Sequence, residues 1–283
     1  MARGGSGVTE PGSASEWRSD LLDLHAYLER IGYEGLAVPT LKTLRDLHAA
    51  HVYAIPFENL DILLGRGIDL DLESLQAKLV GRRRGGYCFE HNILFAAALE
   101  RIGLAVTRLA ARVRLRAQGI RPRTHTALRV EVEGRPWLAD VGFGGGGLVE
   151  PVALEEDAGV TRGGWTHGLV REGDRWVLRA LESDGWTDVY ELTLEGQHFV
   201  DYVMANHFTA TYPGSPFTRG LVVQRTWPSE RLMLRGGELA REMPGGSRST
   251  REVEPGELPE LLVERFGIPL SDAELGALQA TLR

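Results

Sequence analysis

The chain has 283 residues, with 32 Lys and Arg against 39 Asp and Glu, a net charge of −7, and one cysteine. This balance has no basic excess to suggest nucleic acid, the lone thiol excludes a disulfide framework, and no segment reaches the about 20 apolar residues that cross a bilayer. A reducing, cytoplasmic setting is the default expectation.

Residues 1–18 read as a flexible N-terminal tail, since Met1 to Ser15 has no apolar core for a secretory signal. Next, Leu24, Tyr27, Leu28 and Ile31 have the spacing of an amphipathic helix closed by Gly32. Thr40 is placed to cap a second helix with Leu41, Leu44 and Leu47 inward, and Asp71 a third with Leu72, Leu75 and Leu79 inward. Between them Pro56 interrupts any helix and leaves Phe57 on a loop or bend.

The stretch Arg82-Arg83-Arg84-Gly85-Gly86-Tyr87-Cys88-Phe89-Glu90-His91-Asn92 holds the cysteine, and good helix formers follow from Ile93 to Glu100 before Gly103. The thiol therefore falls at or near a helix N-terminus, where first-turn N–H groups and the helix dipole favour the thiolate. Three arginines upstream add positive charge if they fold nearby. The competing reading is a small buried hydrophobe.

After Gly103 the period changes to two. Leu109, Ala111, Val113 and Leu115 alternate with polar or small residues, as do Leu128, Val130 and Val132. Three more strands with tight turns follow to about residue 200, which implies a small antiparallel sheet or barrel. The last third is mixed, with strand-like Leu221–Val223 and Arg231–Leu234 ahead of two helices, the final one capped by Ser271 and Glu274 with Leu275, Leu278 and Leu282 on one face.

A cysteine nucleophile needs a histidine base and a group that orients it. His125 opens a strand, and a two-residue turn at Glu133-Gly134 would pair Val132 with Arg135 and set Asp140 opposite Ala127. Asp140 then becomes a same-face diagonal neighbour of His125, within side-chain reach. A one-residue change of register would send it to the other face. His25, His48 and His51 fall in predicted helices and read as structural or surface residues, and without HExxH or a second cysteine no metal site is expected. His91 is placed to tune the thiol. The run Gly144–Gly147 permits close backbone approach to a ligand, with N–H groups suited to phosphate or an oxyanion.

Taken together, Arg84 to Asn92, Ile55-Pro56-Phe57-Glu58-Asn59-Leu60, Thr124-His125, Asp140-Val141-Gly142-Phe143-Gly144 and Thr209 to Phe217 resemble the motifs of the arylamine N-acetyltransferases, in that family's order. The resemblance implies an α+β fold with a cysteine-protease-like catalytic core: a helical bundle over 19–104, an antiparallel β-barrel over 105–205 and an α/β lid over 206–283. It implies Cys88, His125 and Asp140 as the catalytic triad. Phe57, Val113, Phe143 and Phe217 would line the acceptor pocket, while Thr124 and Gly142, Phe143 and Gly144 would approach coenzyme A. The implied reaction is ping-pong acetyl transfer from acetyl-CoA to an arylamine or arylhydrazine, in xenobiotic metabolism, with no metal.

Three other readings stay open on sequence alone: an amide synthase with the same triad, a papain- or transglutaminase-like hydrolase, and a non-catalytic coenzyme A or nucleotide binder. The oligomeric state, the acceptor and the placement of the C-terminal segment are not encoded in any motif.

Overall fold

A computed structural model describes residues 16–280. The expected tail lies largely outside these, but Trp17 within it is buried edge-on against Phe199 and Tyr202, at ring distances of 5.1 and 5.0 Å. Helix Leu24–Ile31 is capped by Asp23, whose Oδ1 accepts the Ala26 N–H at 3.0 Å, and ends at Gly32 with φ 68°. Helix Leu41–Ala54 begins at Thr40 as expected, and Asp71 caps Leu72–Leu75, which winds on more loosely over Gln76–Gly81. All of them surround helix Cys88–Ile102, in which every residue from Cys88 to Leu99 is buried. A helix covered on all sides is the centre of its layer.

Eight antiparallel strands follow, in the order Val152–Ala153, Arg135–Ala139, Arg123–Val132, Ala105–Val113, Gly185–Gly196, Arg175–Glu182, Trp165–Glu172 and Gly159–Arg162. The end strands approach one another and nearly close a barrel, filled by Leu109, Ala127, Leu138, Leu169, Leu178 and Val189. The hairpin register matches the one read from sequence. Val132 pairs with Arg135 and Leu128 with Ala139, and Glu133 and Gly134 both have positive φ, 53° and 76°, as a two-residue turn with the strands' own twist requires.

A second sheet has the order Phe57–Glu58, Val222–Thr226, Arg231–Arg235, Glu238–Glu242 and Arg248–Glu252. Here two expectations are corrected. Phe57 is an edge strand rather than a loop, because Pro56 only precedes the paired residues. Strands Glu238–Glu242 and Arg248–Glu252, the latter the edge of the sheet, add to the two strands expected there; both carry almost no apolar alternation. Helix Phe199–Thr211 leads from the barrel into this part, across the division at 205. The final helix, Asp272–Gln279, has the expected Ser271–Glu274 cap; Leu275 and Leu278 join the core beside this sheet, and Leu282 lies outside the described residues. No helix among the described residues is long and apolar enough to cross a membrane.

The helical layer hides a chain of polar rings. The Tyr27 hydroxyl donates to His51 Nδ1 at 2.8 Å, His51 Nε2 meets His91 Nδ1 at 2.9 Å, and His91 Nε2 reaches the carbonyls of Gly86 and Pro56 at 3.0 and 3.2 Å. Carbonyls only accept, so His91 carries its proton on Nε2, and His51 must then do the same. Burial holds His48 and His91 down at about 4, His167 at about 3 and His51 well below its ordinary value. The unfolded chain protonates these rings near pH ~6.5 while the native state refuses until far lower, so protons favour unfolding in between. Denaturant titrations should find full stability above that value and a loss on acidification of about 1.4 kcal/mol per pH unit for each histidine. A stability that stays level down to about pH 5 would contradict neutral burial of the four rings.

Candidate active site

Cys88 is the first residue of its helix, with Tyr87 as the N-cap. The Glu90 carboxylate reaches back to accept the Tyr87 N–H at 3.0 Å. Just before it, Gly85 and Gly86 have no room for side chains: a Cβ would lie 2.1 Å from the Pro56 carbonyl oxygen at Gly85 and 2.8 Å from Glu90 Oε2 at Gly86. At Gly85 that space is taken by the segment around Phe57, which also bridges Gly86 in parallel, with the Glu58 N–H donating to the Gly86 oxygen at 2.8 Å. Two separate sequence motifs are thus the two sides of one contact.

Behind this contact lies a buried charge cluster. Lys78 Nζ sits 2.8 Å from both Glu90 and Asp61, and Arg84 lies 2.9 Å from Glu58 and 3.3 Å from Asp61. Arg66 extends it to Glu274 at 2.6 Å, so the last helix docks behind the nucleophile. The three upstream arginines therefore do not serve the thiol: Arg84 is spent on carboxylates, and Arg82 and Arg83 face solvent.

On the opposite side His125 Nε2 and Asp140 Oδ2 are 2.7 Å apart, both buried. Asp140 Oδ1 accepts from Asn92 Nδ2 and from the Gly142 N–H, each at 2.9 Å. Burial pushes the Asp140 carboxyl up, but His125, Asn92 and Gly142 outweigh it and hold the group below the usual carboxylate range. An ionised Asp140 makes His125 Nε2 the protonated nitrogen, and in the neutral ring Nδ1 keeps its lone pair. Phe143 meets the imidazole edge-on at 5.0 Å and Tyr190 packs beside it at 4.9 Å. The Tyr190 hydroxyl, short of hydrogen-bonding geometry to any neighbour, faces Asp140.

Cys88 Sγ lies 3.6 Å from the carbonyl oxygen of Thr124, the residue before His125. Its acidity differs from the sequence-based expectation. Burial, followed by the nearby Asp140 charge, pushes the thiol pKa well up, and the N–H groups of Phe89 and Cys88 recover only part of this. A thiolate here requires that its proton be taken by a base.

A cavity of about 330 Å³ opens beside this group, lined by Phe89, Thr124, His125, Tyr202, Ala205 and Phe208 among others. A hollow of about 20 Å³ on the other side touches Phe57, Asp140, Phe143, Gly144 and Gln224. Phe217 packs on Phe57 at 5.9 Å, and Val113, at the end of its strand, pairs across the sheet with Tyr190. The glycine run is not an open anion cradle. The N–H of Gly142 is spent on Asp140, that of Gly145 on Gln224 and that of Gly147 on the Gly144 oxygen. Among the described residues no cluster of His, Cys, Asp and Glu suits a metal ion.

Residues 40–275 match the model of a family described as N-acetyltransferase. The chain is 40% identical over 264 residues to the arylamine N-acetyltransferase / N-hydroxyarylamine O-acetyltransferase of Salmonella typhimurium, covering 92% of this chain and 93% of the relative. The structure of the Nocardia farcinica arylamine N-acetyltransferase superposes with a TM-score of 0.90 at 45% identity, covering 95% and 98% of the two chains. The chain belongs to the arylamine N-acetyltransferase family. Its members are acyltransferases with a cysteine-protease-like core. A further member of known structure, from Mycobacterium marinum in complex with CoA, matches at a TM-score of 0.87 and 40% identity over 92% and 98% of the chains.

For this arylamine N-acetyltransferase fold, sequence reasoning passed over Asn92, Tyr190, His48 and the role of the Gly142 amide. Asn92 had a signal, since four residues after Cys88 on a helix means the same face. Gly142 is equally constrained: a Cβ there would lie 2.8 Å from both Asn92 Nδ2 and the Cys88 oxygen. Replacing Gly142 by Ala should therefore displace the first turn of the Cys88 helix, cutting acetyl transfer by about 10²-fold and lowering stability by about 1–3 kcal/mol. Wild-type turnover in that variant would show the contact to be dispensable.

Proposed function

We propose that the chain transfers an acetyl group from acetyl-CoA to arylamines and arylhydrazines through an acetyl-Cys88 intermediate. The observation that carries this reading is the buried His125–Asp140 pair, 2.7 Å apart, beside the one thiol of the chain at the start of a helix. Such a thiol is unreactive until a base takes its proton, and the imidazole, held by a carboxylate on Nε2, offers Nδ1 for that purpose.

In the first half-reaction the Cys88 proton passes to His125 as sulfur attacks the thioester carbonyl. The bond to the coenzyme A sulfur then breaks, and the leaving thiolate takes the proton from the imidazolium. In the second, the amine nitrogen attacks the acetyl-thioenzyme and gives its proton to His125, the carbon–sulfur bond breaks, and Cys88 recovers the proton. Asp140 stays ionised throughout and stabilises the imidazolium. Negative charge at sulfur is met by the N–H groups of Cys88 and Phe89.

In this reading the pantetheine arm of coenzyme A enters along Thr124, with Gly142 and Gly144 shaping the backbone beside it. Phe57, Val113, Phe143 and Phe217 shape the acceptor side. Residues 19–104 supply the nucleophile, 105–205 the base and acid, and 206–283 a lid. Support comes from the substrate named for the Salmonella typhimurium relative and the ligand named for the Mycobacterium marinum structure. The lone thiol suits the cytoplasm, where amine xenobiotics are the expected acceptors.

Brief exposure to acetyl-CoA without amine should add one acetyl group to Cys88, seen by intact mass, and an arylhydrazine chase should remove it. His125→Ala should slow this acylation by roughly 10²- to 10⁴-fold with an unchanged circular dichroism spectrum. Absence of any adduct, with acetyl-CoA still bound, would overturn acetyl transfer and point to a longer acyl donor and the amide-synthase chemistry.

A further inference from the structure

Asp140 follows Ala139, the last residue of strand Arg135–Ala139, so its own main-chain N–H lies past the end of the strand. That N–H is buried, and a buried donor needs an acceptor. The acceptor comes from a different layer: His48 Nε2, on helix Leu41–Ala54, at 3.2 Å.

This contact dictates a tautomer. Nε2 must present a lone pair, so His48 carries its proton on Nδ1, the reverse of His51 and His91. That buried Nδ1 has the Val149 backbone near it but no partner in hydrogen-bonding geometry among the described residues, so the Asp140 N–H is the one protein partner that fixes the ring. The ring is fully buried and fixed by Phe95, edge-on at 5.7 Å. Around it stand Asp140, the Val149 backbone, His51 and Arg162, the last engaged with Glu150 at 3.3 Å and Asp46 at 3.7 Å. One turn further along the same helix face, His51 leads through His91 to the carbonyls of Pro56 and Gly86, which flank the nucleophile loop. One helix thus grips both the acid and the nucleophile.

We propose that His48 is a positioning residue for acyl transfer: by accepting the Asp140 N–H it fixes the carboxylate that holds His125, and so the direction in which the free imidazole nitrogen is offered to the thiol. The proposal rests on the reading of Cys88, His125 and Asp140 as the catalytic groups. Leucine at 48 fills much of the space but accepts nothing, whereas glutamine can place an oxygen near the Nε2 position.

The test is the single-turnover rate of Cys88 acylation by acetyl-CoA, followed by intact mass across a pH series, in His48→Leu, His48→Gln and Asp140→Asn. His48→Leu should slow acylation by about 10²-fold and move its apparent pKa, with the KM for acetyl-CoA nearly unchanged, while His48→Gln should recover most of the rate. A folded His48→Leu enzyme with the wild-type rate and pH profile would overturn the proposal, as would a glutamine variant no faster than leucine. Should His48→Leu not fold, nitrogen NMR of the histidine-labelled wild-type protein decides: an Nδ1–H tautomer at His48 supports the role and an Nε2–H tautomer overturns it. Full acylation activity in Asp140→Asn would instead sink the catalytic reading itself.

Discussion

A carboxylate taken out of water must have its charge answered by neighbouring groups, and Asp140, 1% exposed, imposes that demand on the whole site. Its partners come from different parts of the chain: His125 from the adjacent strand, Asn92 from the central helix, and Gly142 from the turn that follows. Asn92 also donates to the Thr126 oxygen at 2.8 Å and accepts the Val141 N–H at 3.1 Å, and the Thr126 hydroxyl donates to the Cys88 carbonyl at 3.3 Å. The bonds that hold the carboxylate therefore also dock the first turn of the nucleophile helix onto the hairpin. Orientation of the imidazole and placement of the thiol are one constraint.

The same economy applies on the far side of Cys88. Glu90 has to be satisfied because it is buried, and Lys78 and the Tyr87 N–H do so, which fixes the first helical turn from behind. Lys78 in turn needs Asp61, Asp61 needs Arg84, and Arg84 needs Glu58 beside Phe57. Removing one member would leave an uncompensated buried charge, costing about 3–5 kcal/mol. Of the three arginines upstream of the thiol, the cluster consumes Arg84, while Arg82 and Arg83 face solvent.

Legibility in the sequence followed locality. Caps at Thr40, Asp71 and Ser271, and the turn at Glu133-Gly134, depend on residues a few positions apart, and the hairpin register that brings Asp140 to His125 depends on counting along two strands. What failed depended on distant partners. Arg84 reads as positive charge for the thiolate, and the glycine run as N–H groups for an anion, until Glu58, Asp61 and Gln224 are found to occupy them, from 26, 23 and 79 residues away. His48 looked like an ordinary helix residue because its partner is the backbone of a residue 92 positions on. The thiol pKa was misjudged for the same reason: the helix terminus is local and visible, whereas burial and the Asp140 charge belong to the assembled fold.

The buried thiol also bears on the choice between transfer and hydrolysis, two chemistries open to the same triad. Cys88 is 3% exposed and His125 likewise, so the groups that would activate a nucleophile meet little bulk solvent. Cys88 shares its buried cluster with Phe89 and Tyr202, and these two line the cavity beside His125, so on the proposed reading an acyl group carried by Cys88 would lie among surfaces that disfavour water. On the same reading, the raised thiol pKa leaves activation of the thiol to a base. On that reading the apolar part of the lining disfavours water as the competing nucleophile, and the partnered carboxylate keeps the imidazole oriented for the amine.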